Sequence, residues 1–160
     1  MIFGLSTFTT VHVVITLVAI ASGEVVLFGL ISSRRMDAMT AIYLVFTALT
    51  SITGFFFPFH GVTPAITLGI ISCAVLVPTL AARYAFAMRG AWRWIYVIGA
   101  VALLYFNVFV LVVQVFLKVP AFHALAPTGS ERPFLTAQGV ALLFFLLAGY
   151  RAVRRFRPRP

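Results

Sequence analysis

Five long apolar runs, separated by short breaks rich in charge, proline or glycine, set the pattern of this chain. The runs cover roughly residues 7–32, 38–57, 64–84, 93–118 and 134–150. The breaks read SRRMD, FHGVTP, AMRGAWR and the longer VPAFHALAPTGSERP. About 20 apolar residues in a helix cross a bilayer, and a helix is the only open-chain way to satisfy the backbone in hydrocarbon. The pattern therefore predicts an all-α fold, a bundle of five transmembrane helices forming a single transmembrane domain over residues 1–160. The fifth run, of about 17 residues, is the shortest and stands at the lower edge of a span.

Punctuation agrees with this division. Pro58 is expected to end the second helix. Pro64 suits the first turn of the third, with Thr63 as its cap, and Pro78 is expected to kink that helix. Pro120, Pro127 and Pro133 mark the last connection as irregular. Small residues recur at helical spacing: Ala19 and Gly23, then Thr47, Thr50, Ser51 and Gly54, then Gly69, Ser72 and Cys73. Such stripes predict close helix packing. No internal repeat is present, which speaks against a one-chain inverted-repeat transporter.

Composition strengthens the membrane reading. The chain is 62% hydrophobic and only 9% charged, against about 25% charged for a soluble domain. The start, MIFGLST, lacks the positive region of a signal peptide, so the first run is expected to remain as a span. The single cysteine, Cys73, excludes an internal disulfide and a thiolate zinc site, and reads as a small packing residue.

Charge adds a direction. Arg34, Arg35, Arg83, Arg89, Arg93, Arg151, Arg154, Arg155, Arg157 and Arg159 all fall on one side of a five-span chain. Lys118 and Arg132 fall on the other. The positive-inside rule then places the N-terminus outside and the C-terminus in the cytoplasm of a bacterial-type inner membrane. The net charge of +9 is thus a topology signal and not a nucleic-acid footprint. The tail RAVRRFRPRP reads as a topology anchor, with contact to anionic lipid as its functional alternative.

Few residues offer chemistry. His12, His60 and His123 all belong to the outer side, where imidazoles can hold a metal or, in pairs, haem b. Their spacing forms no ligand motif, and His12 lies about 7 Å below the outer boundary whereas His60 stands past a proline at the interface, so separate interfacial roles are the plainer reading. Glu24 sits within the first run, about 12 Å from its inner end. An acid there favours its neutral form and can serve as a proton site or a hydrogen-bond donor, with Tyr43 at similar depth as its expected partner. Arg83 can reach only part of the way toward it. Asn107, Gln114 and Lys118 are expected to share a face of the fourth helix. His12, Gln114 and Gln138 fall at similar depth, with His60 above, as a possible quinone-headgroup pocket; amide glue between helices is the alternative.

Nothing resembles a hydrolytic triad, a phosphate-binding loop or a dinucleotide fingerprint. The expected function is a non-catalytic subunit or accessory protein that packs in a larger membrane complex or as a homo-oligomer. The alternatives are a haem- or quinone-binding redox protein and a proton-coupled transporter or channel centred on Glu24.

Overall fold

The computed structural model describes residues 6–57 and 64–157. It is all-helical there, with five helices long and apolar enough to cross a membrane. They are α1 (Thr7–Ile31), α2 (Asp37–Gly54), α3 (Pro64–Leu80), α4 (Trp92–Lys118) and α6 (Arg132–Arg155). A π-helical turn, Ala81–Ala85, continues α3, and a short helix α5 (Pro120–His123) lies in the last connection. At 1.5 Å per residue α1 and α4 are each about 37–40 Å long, more than the ~30 Å hydrocarbon core.

Local chemistry explains the ends. Ser6 caps α1 by accepting the Thr9 amide at 3.1 Å. At the other end Ser33 takes a left-handed conformation (φ 55°), and the Arg34 amide returns to the Gly29 carbonyl at 2.8 Å. That is a Schellman ending, built without glycine at its left-handed residue. The second helix stops at Gly54, earlier than the apolar run, because Phe55 and Phe56 turn back on Ile52 and Thr53. The expectations for Pro58, His60 and Thr63 lie outside the described residues.

Two elements depart from the sequence pattern. Pro78 leaves α3 helical as far as Leu80, and the irregularity comes afterwards, in the π turn, where Phe86 N bonds Ala81 O at 3.0 Å. Ala87, Met88 and Gly90 then adopt positive φ to finish the turn. The fifth spanning helix is not the shortest. It runs for 24 residues, past its apolar stretch at both ends. Pro133 is at home in a first helical turn, and Arg93 donates to the Val153 and Phe156 carbonyls where the helix ends.

The five spans close into a ring: α1 packs on α2, α2 on α3, α3 on α4, α4 on α6 and α6 on α1, with α4 also crossing to α1. The core runs through Ala19, Leu27, Tyr43, Leu44, Val97, Leu103 and Leu104. Close approach at its centre needs Gly23. A methyl there would stand 2.6 Å from Leu104 Cδ1 and 2.9 Å from Tyr43 Cε2.

Candidate functional site

Polar side chains collect in three places. The first is a ladder between α2 and α4. Thr40, Tyr43 and Thr47 follow each other at three- and four-residue spacing and so share one face of α2. The Thr40 hydroxyl meets the Tyr96 hydroxyl at 3.3 Å, Tyr43 Oη donates to the Ala100 carbonyl at 2.7 Å, and Asn107 Nδ2 donates to Thr47 Oγ1 at 3.4 Å. All five of these side chains are buried. The ladder is glue, because every rung ends on another member of the bundle. The Tyr43 hydroxyl is thus spent on α4, and no hydrogen bond joins it to Glu24 among the described residues.

The second place is the end of the bundle that holds His12. His12 Nδ1 lies 2.7 Å from Thr53 Oγ1, and its ring meets Phe57 edge-on with centroids 5.0 Å apart. Thr53 spends its one hydroxyl proton on the Leu49 carbonyl at 2.6 Å. His12 then donates from Nδ1, and its Nε2 makes no hydrogen bond among the described residues. Gln138 is buried and donates to the Phe109 carbonyl at 3.2 Å, while its Oε1 has no partner. Gln114 and Lys118 are exposed, although Asn107 seven residues earlier is buried. The three share a face, each of the pair within about 20° of Asn107, and the exposed pair stands nearer the end of α4, where that face is less covered. His123 stands exposed in α5. The hydrogen bonds of His12 and Gln138 lead to different helices, and among the described residues no hydrogen bond joins either to Gln114. Among the described residues no three His, Cys, Asp or Glu side chains gather as a metal set.

The third place is the arginine-rich end, which sequence reasoning missed as a site. Arg83, in the π turn, is 8% exposed. Its Nη2 donates to Asp37 at the start of α2, and Arg35 Nε stands 3.6 Å from the same carboxylate. Arg83 Nη1 faces Met88 Sδ at 3.9 Å, and Nε has no partner. The guanidinium also lies 5.7 Å from the ring centres of Tyr84 and Tyr96. The carboxyl end of α6 closes over this cluster: Phe156 is buried against Tyr96, and the Arg157 amide donates to Ser33 Oγ at 2.9 Å. The available signal was that Asp37 is one of only three acids in the chain and stands beside the arginine-rich breaks.

Glu24 stands apart from all three. It is exposed on the outer face of α1, and its carboxylate makes no hydrogen bond or ion pair among the described residues. Its neighbours on that face, Val14, Leu17, Ala21 and Phe28, are exposed as well and follow a three-four spacing.

Compared with known proteins, the chain matches no family model, and no curated protein or solved structure is significantly similar to it.

Proposed function

We propose that this is a multi-pass protein of a bacterial-type inner membrane that works by assembly. In this reading it is a non-catalytic subunit or accessory protein, packing through the outer face of α1 against another membrane protein or a second copy of itself. The N-terminus is outside and the arginine-rich end is cytoplasmic, on the strength of the arginine asymmetry.

One observation carries the reading. Of the three acids, Asp37 is paired with arginines and Glu131 with loop donors, while Glu24 faces outward from the middle of an apolar helix with no partner among the described residues. An ionisable group presented to hydrocarbon costs about 2.5–3.5 kcal/mol on insertion scales. A neighbouring helix that brings a hydrogen-bond donor or a cation removes that cost. The stripe Val14, Leu17, Ala21, Phe28 has the spacing of a helix-packing seam, with the small Ala21 next to the acid. Since Glu24 lies outside the bundle, a proton-coupled role would also require several copies gathered around it.

The test is the size and content of the particle. The full chain is extracted in a mild detergent, with and without prior cross-linking through a cysteine placed at Leu17 in a C73S background. The wild type is expected as a dimer, a larger oligomer or a stable hetero-complex. Glu24→Leu should release monomer of unchanged helicity, and Glu24→Gln, which keeps a donor and an acceptor, should retain most of the assembly. A wild type that is monomeric and partner-free, or an assembly indifferent to Glu24→Leu, would overturn the proposal.

A further inference from the structure

We infer that the cleft at the arginine-rich end binds a phosphate group through Arg34, Arg35 and the unpartnered Nε of Arg83. The group is either the headgroup phosphate of a membrane lipid or free phosphate. This site is separate from the exposed Arg151, Arg154 and Arg155 at the end of α6 and does not depend on the role given to Glu24.

The cleft opens between the end of α1, the start of α2 and the π turn. Its empty volume is about 210 Å³, open at the mouth, and its enclosed part has room for about a single water. Arg34 and Arg35 stand at the rim and Arg83 lines the interior, with Val26, Leu30 and Phe156 as apolar wall. Arg83 and Arg35 share one carboxylate, Asp37, and Arg34 lines the same cleft, so three positive charges stand against one negative. Arg34 makes no ion pair among the described residues.

The state of Arg83 points to an acceptor from elsewhere. A guanidinium has five N–H donors, and only Nη2 of this one reaches an oxygen. Met88 sulfur is a weak acceptor for Nη1, and Nε, buried, has none among the described residues. A buried charged donor left unsatisfied costs about 1–3 kcal/mol or more. The enclosed space, which Arg83 lines, has room for one phosphate oxygen, and the others would remain at the open mouth of the cleft that Arg34 and Arg35 also line. The planar fork of arginine suits that geometry better than lysine does. Met36 gives α2 no side-chain cap, so the first amides of that helix add to the anion preference of the rim. The cleft also lies at the level of the helix ends, where basic pockets between spans meet lipid headgroups.

The full chain in neutral detergent is titrated with short-chain phosphatidic acid, with short-chain phosphatidylglycerol and with inorganic phosphate. The readouts are the Arg83 Nε–H resonance and the dissociation constant. At least one probe should shift that resonance and saturate. A response to the lipids alone identifies a headgroup site, and a response to inorganic phosphate as well identifies a phosphate site. Arg34→Gln/Arg35→Gln, changed at exposed positions, should weaken binding about tenfold or more, the loss of at least one charge-assisted hydrogen bond. Arg83→Lys should weaken it similarly; if that variant does not fold, the rim variant decides alone. Arg151→Gln/Arg154→Gln/Arg155→Gln, changed at side chains that do not line the cleft, should leave the affinity within about twofold. No shift with any probe overturns the inference, and so does binding that depends on the tail arginines and not on Arg34 and Arg35.

Discussion

Glu131 shows how this chain holds a carboxylate when water is at hand. Its side chain accepts the Thr128 amide at 2.9 Å, the Thr128 hydroxyl at 2.9 Å and the Ser130 amide at 3.0 Å. The Thr128 amide, then its hydroxyl and the neighbouring amides, hold the acid well below its ordinary value of 4.5, at about 2. The folded value is the lower one, so the stability this turn adds is fully present above pH 4.5 and disappears as pH falls toward 2. The Thr128 and Ser130 amide shifts should therefore titrate with a midpoint near 2, and Glu131→Gln should abolish that titration. A midpoint at 4.5 would mean the donors do not hold the carboxylate in solution. Glu24 marks the limit of reading single residues from sequence. Counting along α1 fixes its depth, but depth does not tell which way around the helix a side chain faces. Tyr43 shares that depth and still turns its hydroxyl to Ala100, and Arg83 turns to Asp37. The Asp37–Arg83 pair joins two helices that the third span brings together, and no spacing within either helix encodes it.

At the scale of elements, hydropathy was enough to place all five spans, because each must bury its backbone polar groups internally. The ends were less legible. Side-chain and carbonyl partners such as Arg93 at the end of α6 extend a helix beyond its apolar run. Pro78 announces a break but not its position, since the π turn forms where Met88 and Arg83 pack and not where the amide is missing. Glycines separate packing from propensity. A methyl on Gly23 would press on Leu104 and Tyr43, and one on Gly99 would overlap the hydroxyl of the fully buried Thr79. A methyl on Gly139, on the outer side of α6, would meet nothing within 4 Å. Gly23→Ala and Gly99→Ala are expected to destabilise by about 1–3 kcal/mol through overpacking, with the larger loss at Gly99. Gly139→Ala should be neutral or stabilise by up to about 1 kcal/mol through helix propensity. Denaturation in mixed micelles measures all three. Equal effects at the three sites would show that propensity, and not contact, governs these positions.

The whole molecule is a ring of helices closed differently at its two ends. At the His12 end the described contacts are local, with α1 joined to α2 through Thr53 and Thr50. At the arginine-rich end, all five spans and the tail meet. Arg83 joins the π turn to α2, Arg93 holds the last carbonyls of α6, and Arg157 ties the tail to the turn after α1. Phe156 sits among them, 2% exposed, with its ring 6.0 Å from that of Tyr96. It lies just past the last helix, in a stretch that composition alone reads as a charged tail, so its burial follows only from where the tail folds. If Phe156 is the latch of this end, Phe156→Ala should cost about 3 kcal/mol, the usual loss for a buried phenylalanine. The loss should also be local. Amide exchange should rise at Ser33, Met88 and Arg157, while the His12–Thr53 end keeps its protection, because each end is held by its own contacts. Uniform loosening would instead make the bundle a single cooperative unit in which the arginine-rich end has no separate closure. No change at all would mean that the arginine bonds to the α6 carbonyls hold the end without the aromatic side chain. In either case the phosphate cleft, which Phe156 walls, would be expected to respond accordingly: lost with uniform loosening, kept where nothing changes.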